Sequence, residues 1–259
     1  MKSVLFASLL ASAAIAAPAQ AQTVAALMGD DMIAMVDAGA KKAAASMKVS
    51  GIEGRLVGID VRPADGKLYG LVADGTVVTI DPASGKATKV SKLATMLPAG
   101  VMATVDFNPA ADRLRVIGSD GMNLRANVDD GKVTKDGMLA FAGSDMHKGE
   151  KPNIVAGAYT NSVKGTKETA LYDIDATIGG LIKQAPPNDG VLNAVGKLGV
   201  TAKSYAFDIV SMGEGKNAAF LMADDTLHQV DLASGKATPV GKIAGVTGPV
   251  RDIAILPAM

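Results

Sequence analysis

The sequence contains no cysteine and no tryptophan, and only nine of its 259 residues are aromatic. The absence of cysteine excludes a disulfide framework, a cysteine-ligated zinc site and a thiol nucleophile. Lys and Arg together number 26, as do Asp and Glu, so neither charge sign is in excess. Because nucleic-acid binding depends on clustered basic residues, nucleic acid is excluded as the main partner. An apolar fraction of 48% is nevertheless sufficient for a folded core.

The one long hydrophobic run lies at the N-terminus. Residues 4–17 are all apolar or small, follow Lys2 and precede the small-residue triplet Ala19-Gln20-Ala21. Such a run is shorter than the roughly 20 residues that span a bilayer as a helix, which disfavours a membrane anchor. The pattern predicts a signal peptide in residues 1–21, cleaved after Ala21. We therefore expect a bacterial periplasmic or secreted protein, with residues 22–259 as one domain and no transmembrane segment.

A repeat of about 50 residues organises the mature chain. Residues 81–88 (DPASGKAT) recur at 231–238 (DLASGKAT), an offset of 150 residues. Gly131 and Gly179 are assigned to the matching turn of the two intervening units, which gives glycine spacings of 46, 48 and 56. Within each unit, apolar segments of strand length alternate with turns such as Ala73-Asp74-Gly75. A period of this length is typical of a propeller blade, whose four antiparallel strands bury both faces only by stacking on neighbouring blades.

The two ends of the mature chain complete each other. Full units lie at residues 56–98, 102–143, 152–198 and 205–243, whereas residues 24–52 supply three strands and lack an opening one. Residues 249–256 resemble an opening strand with no unit after it. This arrangement predicts a single all-β domain, a five-bladed β-propeller closed by the C-terminal strand joining the N-terminal blade. The orphan strand argues against an open β-solenoid or a pair of sandwiches.

Residues 38–47 of the first unit are rich in Ala and Lys. We expect a weak outer strand there, with a helical turn as the alternative.

Motifs of the common catalytic classes are missing from the sequence. It contains no G-x-S-x-G nucleophile elbow and no H-E-x-x-H zinc motif. Gly85-Lys86 and Gly235-Lys236 are followed by Ala, so they lack the Ser or Thr of a phosphate-binding loop. His147 and His228 are the only histidines and lie in different units, which disfavours a histidine zinc site or a catalytic triad. No catalytic or cofactor-binding residue is therefore predicted.

One aspartate recurs at the same place in the opening strand of four units. These residues are Asp60, Asp106, Asp208 and Asp252. Because the opening strand is the innermost strand of a blade, their carboxylates could converge in the central channel and hold Ca²⁺ or another divalent cation, or a cationic ligand. Alternatively, each carboxylate accepts backbone N–H bonds and anchors one blade to the next. A residue that recurs in most blades favours the structural role, so no cofactor is evident.

The third unit carries polar residues that most other units lack. They are Arg113, Arg115, Asn123 and Arg125. On two adjacent strands they could project from one face as an anion- or carbohydrate-binding surface. The alternative is a solvated or inter-blade face on which Asp112 and Asp120 pair with the arginines.

Asn188 and Asp189 of the fourth unit fall in the segment Pro186-Pro187-Asn188-Asp189-Gly190. We expect this segment to form a rim loop, where binding residues tend to lie, and we add both residues to the candidate ligand-binding set.

Short motifs run in order through nearly all of the mature chain. They are Gly58-Ile59-Asp60 with Arg62-Pro63, Leu68-Tyr69-Gly70, Asp106-Phe107-Asn108-Pro109, Asp112-Arg113-Leu114-Arg115-Val116, Asn123-Leu124-Arg125, Ala158-Tyr159-Thr160-Asn161-Ser162, Pro187-Asn188-Asp189-Gly190 and Arg251-Asp252-Ile253-Ala254. In this order they resemble the bacterial family called domain of unknown function 4394. The resemblance implies an exported, β-propeller-like domain and supplies no established activity, substrate or catalytic residue. The first unit departs from the regular pattern around residues 38–47.

Two functions of different classes fit these observations. We favour a non-catalytic binding or scaffold module for a protein, peptide or glycan, because catalytic motifs are missing and a fold does not select a chemistry. The alternative is a metal-assisted hydrolase or lyase that acts on a sugar or lactone through the channel carboxylates. In either case we expect a monomer.

Overall fold

The computed structural model describes residues 22–257, so the predicted signal peptide lies outside the described residues. Five separate sheets are formed. The strands in chain order are β1 (Thr23–Met28), β2 (Met32–Asp37), β3 (Lys42–Ala43), β4 (Met47–Lys48), β5 (Leu56–Val61), β6 (Leu68–Val72), β7 (Thr76–Ile80), β8 (Ala87–Lys92), β9 (Ala103–Asn108), β10 (Arg113–Gly118), β11 (Asn123–Ala126), β12 (Val133–Lys135), β13 (Ala140–Phe141), β14 (Ile154–Tyr159), β15 (Leu171–Asp175), β16 (Gly180–Gln184), β17 (Val191–Lys197), β18 (Tyr205–Ser211), β19 (Asn217–Ala223), β20 (Thr226–Val230), β21 (Ala237–Lys242) and β22 (Val250–Ile255).

The five sheets are the blades of a β-propeller, as predicted. Blade 1 contains β22 and β1 to β4, blade 2 contains β5 to β8, and blade 3 contains β9 to β12. Blade 4 contains β13 to β17, and blade 5 contains β18 to β21. We name the strands of each blade a to d from the innermost outward. The innermost strands are therefore β22, β5, β9, β14 and β18.

The ring closes through blade 1, where β22 pairs antiparallel with β1. Ile253 lies opposite Ala26, and Ala254 lies opposite Ala25. All four residues are buried. The C-terminal strand therefore supplies the innermost strand of the N-terminal blade, which confirms the predicted closure and leaves no blade without a neighbour.

The outer strands of two blades differ from the regular pattern. In blade 1 the expected weak outer strand is divided into β3 and β4, which both pair with β2. In blade 4 the short β13 adds a fifth strand by pairing parallel with β17. The sequence assigned residues 140–141 to the third unit, which is wrong, because their backbone bonds connect them to blade 4.

The turn between strands c and d carries a left-handed residue in every blade. These residues are Lys41 (φ 54°), Gly85 (φ 69°), Gly131 (φ 73°), Gly190 (φ 71°) and Gly235 (φ 77°). The assignment of Gly179 to this turn is wrong, because Gly179 lies between strands b and c of blade 4. The error arises from the long a–b connection of blade 4, residues 160–170, which displaces the later turns of that blade along the sequence.

In blades 1, 2 and 3 these turns also fasten the blade to the one before it. The carbonyl oxygens of Lys41, Gly85 and Gly131 accept N–H bonds of 2.8–3.0 Å from Ala244, Ser50 and Ala94, which lie just beyond the outermost strands of the preceding blades. A Cβ atom at Gly131 would overlap the carbonyl oxygen of Lys92. Glycine is therefore required at this turn both for its positive φ and for the close approach of the preceding blade.

Five hydrophobic clusters fill the five seams between neighbouring blades. In the seam of blades 4 and 5, Ile174 and Leu181 pack with Phe207 and Leu221. The cluster between blades 3 and 4 has only eight buried hydrophobic residues, against twelve or thirteen in each of the others. Polar side chains occupy much of that seam.

Two faces of the ring matter for function. We call the face that carries the a–b connections of blades 2 to 5 the AB face; these connections are residues 62–67, 109–112, 160–170 and 212–216. We call the opposite face, which carries the b–c turns and the connections from strand d to the next blade, the DA face.

Gly131→Ala tests the inter-blade role of the c–d turns, with Gly66→Ala as the matched control. Both glycines have φ near 70°, but a Cβ at Gly66 would meet nothing within 4 Å. The control should lose only the stability that left-handed strain costs an alanine. This loss is on the order of 1 kcal/mol, or roughly 2–4 °C in Tm for a chain of this size. Gly131→Ala should lower Tm by at least twice as much, measured by thermal denaturation. Equal losses would contradict the close packing of this turn.

Candidate functional site

The innermost strands line the central channel, and one edge of each has no partner strand. The four repeated aspartates occupy these edges and accept backbone N–H bonds there. The bonds are Val61 and Phe107 to Asp60 (both 2.6 Å), Tyr159 to Asp106 (2.9 Å), Ile209 and Ile255 to Asp208 (both 2.6 Å), and Ile253 and Ile59 to Asp252 (3.0 and 2.9 Å). Every one of these aspartates thus bonds to the next blade, which is the geometry expected of a blade anchor.

The carboxylates also converge. One oxygen each of Asp60, Asp106 and Asp208 lies within 4.8 Å of the other two, and all three residues are buried. Burial raises the pKa of Asp60, Asp106 and Asp252 well above the usual range, and it raises that of Asp208 to about 6. Repulsion from Asp208 raises the pKa of Asp60 further, whereas its two N–H bonds lower it. Burial and mutual repulsion therefore favour protonated carboxyl groups, or a bound cation, over several unpaired negative charges in this space.

These carboxylates are the described residues that could hold a divalent cation. Oxygen ligands suit Ca²⁺ and other hard cations, and Oδ2 of Asp106 has no hydrogen-bond partner among the described residues. The predicted cation role of Asp60, Asp106, Asp208 and Asp252 stays a prediction.

Blade 4 lacks the repeated aspartate and is joined to blade 5 in another way. Ala158 occupies the position before Tyr159 where the other blades place Asp. Asn161 and Asn217 instead form two hydrogen bonds with each other. The Asn161 backbone N–H donates to Asn217 Oδ1 (2.7 Å), and the Asn217 side-chain amide donates to Asn161 Oδ1 (2.9 Å). Ser162 Oγ adds a 2.8 Å bond to the carbonyl oxygen of Ile209.

A fifth buried carboxyl lies on the second strand of blade 4. Asp173 is 0% exposed, and neither of its oxygens has a hydrogen-bond partner in the described chain. Its carboxyl lies over Gly157, where any side chain would collide with it. Burial raises the pKa of Asp173 to about 8; the charge of Arg115 opposes this shift and that of Asp175 adds to it.

The structure brings Arg115, Asn123 and Asn188 together at the seam of blades 3 and 4. Arg115, 2% exposed, donates to Tyr159 Oη (3.0 Å), Asn123 Oδ1 (2.9 Å), Asp136 Oδ2 (2.5 Å) and Asn188 Oδ1 (2.8 Å). Asn123 is also buried and donates to the carbonyl oxygens of Gly137 and Pro187. These bonds fix blade 4 to blade 3 and satisfy both side chains within the protein.

The other three predicted ligand-binding residues reach solvent. Arg125 forms a two-bond ion pair with Asp136, of 2.6 and 2.9 Å, and 31% of its side chain is exposed. Arg113 is half-buried and donates to the carbonyl oxygen of Asp112. Asp189 is exposed in the 3-10 turn Pro187–Asp189, as is Asn188. A ligand role for the six residues stays a prediction.

The sequence did not indicate a cleft on the AB face between blades 4 and 5. Its volume is about 350 Å³, and its lining comes from the two a–b connections. The lining residues are Asn161, Val163, Thr166, Lys167, Glu168, Ser211, Gly213, Glu214 and Gly215. The unusual length of the 160–170 connection is the signal that could have located it. Asn161 and Glu214 both have left-handed backbone (φ 58° and 51°), a conformation that non-glycine residues adopt mainly where surrounding contacts enforce it.

Asp173→Asn tests the buried carboxyl of blade 4. An unfolded Asp has a pKa of about 3.9, so the folded state keeps this proton to higher pH. The free energy of unfolding therefore falls as pH rises from about 4 through 8. Asp173→Asn should remove this part of the pH dependence and exceed the parent in stability at pH 9 by more than about 1.4 kcal/mol, the equivalent of one pKa unit. Urea denaturation at pH 5, 7 and 9 measures the difference.

Glu53→Gln, at an exposed carboxylate, is the control and should leave the pH profile unchanged. A constant difference between Asp173→Asn and the parent from pH 5 to 9 would contradict the prediction.

Solved structures with this fold come from several Bacteroides proteins. A Bacteroides thetaiotaomicron protein of unknown function has a TM-score of 0.54 and 17% identity, with 93% of this chain and 68% of that chain covered. An auxiliary nutrient binding protein from Bacteroides ovatus has a TM-score of 0.50 and 12% identity, covering 88% of this chain and 58% of that one. A protein of the same description from B. thetaiotaomicron has a TM-score of 0.50 and 11% identity, covering 92% and 60%. At these identities the likeness shows the fold alone.

No curated protein matches the sequence. Within residues 22–257, no helix has the length and apolar character needed to cross a bilayer.

The model of one family, described as a domain of unknown function (DUF4394), matches residues 32–254. That match spans all five blades, in agreement with the motifs that resemble the family, and the chain belongs to the DUF4394 family.

Proposed function

We propose that this protein is an exported, monomeric binding module whose ligand, a peptide, protein segment or glycan, contacts the AB face at the cleft between blades 4 and 5. The observation that carries the proposal is the cleft itself, which measures about 350 Å³. Ligand clefts commonly measure roughly 300–1,000 Å³. The loops that form it are held by a rigid scaffold, which is where binding residues are most often found.

The chemistry of the cleft suits a ligand of mixed character. Asn161 and Thr166 use their polar side chains to bond the loop itself, through the carbonyl oxygen of Glu168. The charged groups of Lys167 and Glu168 are exposed and available to a ligand. Val163 is 45% exposed and adds an apolar contact. The cleft therefore presents charges of both signs beside apolar surface. A peptide segment, which carries the same kinds of groups, is complementary to such a surface.

Two further observations support binding rather than catalysis. Arg113, Asn188 and Asp189 remain solvent-accessible in blades 3 and 4 and could extend the contact surface. Two proteins of the same fold are described as auxiliary nutrient binding proteins, which is compatible with a binding role at the level of fold. The predicted signal peptide supports an exported location.

Val163→Arg tests the cleft, with Val90→Arg as the matched control. Both valines are exposed, but Val90 lies on the outer strand β8, outside the cleft. Residues 22–259 and the two variants are screened against peptide and glycan arrays, and the dissociation constants of hits are measured by calorimetry. Val163→Arg should weaken binding at least tenfold, because the longer charged side chain occupies the cleft, whereas Val90→Arg should not change it.

Hits that bind both variants equally would place the ligand elsewhere. Turnover of an array compound by the parent protein would contradict the non-catalytic proposal.

The alternative function is a metal-assisted hydrolase or lyase acting on a sugar or lactone, and one observation favours it: three buried carboxylates converge in the channel.

A cation titration tests this alternative. If the carboxylates hold a cation, then adding Ca²⁺, Mg²⁺, Mn²⁺ or Zn²⁺ at a hundredfold excess over its Kd should stabilise EDTA-treated protein by about 2.7 kcal/mol. Thermal-shift assays measure this effect, and Asp106→Asn should abolish it. No shift with any cation would leave the aspartates as blade anchors only.

A further inference from the structure

A second cavity lies on the DA face, between blades 2 and 3. It measures about 380 Å³, and nine of the ten residues that line it are apolar or glycine. The residues that line it are Arg55, Val57, Ala73, Met96, Leu97, Pro98, Ala99, Gly100, Val101 and Ala103. Val57 and Leu97 are buried and belong to the core of this seam, so the cavity has a fixed apolar base.

Arg55 is the one charged residue in this lining. It immediately precedes β5 and is half-buried. Among residues 22–257, no carboxylate forms an ion pair with it, and its side chain makes no hydrogen bond. By contrast, Arg62, Arg115 and Arg125 each bond to at least one aspartate. Arg55 therefore places a positive charge without a counter-ion among the described residues at the edge of this cavity.

A second guanidinium increases the positive charge near the cavity. Arg251 donates to the carbonyl oxygens of Gly29 (2.5 Å) and Leu56 (3.0 Å), and Leu56 is the residue next to Arg55. Burial lowers the pKa of Arg251, and the charge of Arg55 lowers it further, while Asp30 partly opposes this. Arg55 and Arg251 thus add positive potential near the cavity, which Asp30 and Asp252 reduce in part.

We propose that the cavity of Arg55, Val57, Met96, Leu97, Val101 and Ala103 binds a small organic anion, a carboxylate with a short apolar chain. The carboxylate pairs with the Arg55 guanidinium, which offers a planar fork of donors that matches it. The apolar chain lies against Val57, Leu97 and Met96, where it leaves water. The site is on the face opposite the AB cleft and does not depend on the function proposed for that cleft.

Hexanoate is the probe for this site, and methyl NMR of methionine-labelled protein is the first readout. Met96 lines the cavity, whereas Met146 is 86% exposed and does not line it. Hexanoate should shift the Met96 methyl signal in a saturable way and leave the Met146 signal in place. Hexanol, which has the same chain and no charge, should bind at least tenfold more weakly.

Arg55→Gln should weaken hexanoate binding at least tenfold and leave the weak binding of hexanol unchanged. The control is Lys89→Gln, which removes an exposed cation from β8 of the same blade and should have no effect. Ala103→Leu, which keeps Arg55 but fills part of the cavity, should weaken both probes. Circular dichroism and Tm of each variant verify folding.

The proposal is overturned if hexanoate leaves the Met96 signal unchanged at millimolar concentration, or if Arg55→Gln binds hexanoate as tightly as the parent. Equal binding of hexanoate and hexanol would also overturn it, because the charge of Arg55 would then have no role.

Discussion

The ring depends on how the innermost strand of each blade satisfies its free edge. Such an edge carries backbone N–H groups that no neighbouring strand can pair, and burial makes an unpaired group costly. Aspartate solves the problem because one carboxylate accepts a bond from its own strand and another from the next blade. Asp60 does so with Val61 and Phe107, and Asp208 with Ile209 and Ile255. The same bonds that satisfy the edge also fix the blades to each other.

This arrangement places several carboxylates in one narrow, buried space. The oxygens of Asp60, Asp106 and Asp208 lie within 4.8 Å of one another, so the fold forces like charges together. Shared protons relieve the repulsion as well as a cation would, which is why converging carboxylates do not by themselves indicate a metal centre. The outer rim of blades 1, 2 and 3 needs no charge for this purpose, because their left-handed c–d turns bond to the preceding blade through backbone groups.

The repeated features made the fold predictable from the sequence. Asp60, Asp106, Asp208 and Asp252 marked the innermost strands, and the orphan strand at residues 249–256 indicated how the ring closes. The glycine repeat failed only in blade 4, where the 160–170 connection moved the c–d turn to Gly190. The burial of Arg115 could not be predicted, because strand periodicity does not show that Asn188, 73 residues later, folds back onto it. Arg55 and the AB cleft were missed because neither belongs to a repeated motif.

A site for a ligand requires polar groups that the fold does not already use. The repeated aspartates and the buried Arg115 use most of their polar atoms in hydrogen bonds within their own blade or to the next one. The polar groups that remain available to a ligand lie where a blade departs from the repeated pattern. Blade 4 lacks the anchoring aspartate, and its contact with blade 5 is made instead by Asn161, Ser162 and Asn217 in and beside the long loop. Arg55 lies before β5, outside any repeated turn, and its charge is not paired within the described residues. In a repeat protein of this kind, the irregular positions are therefore the ones with the chemical freedom to acquire a function.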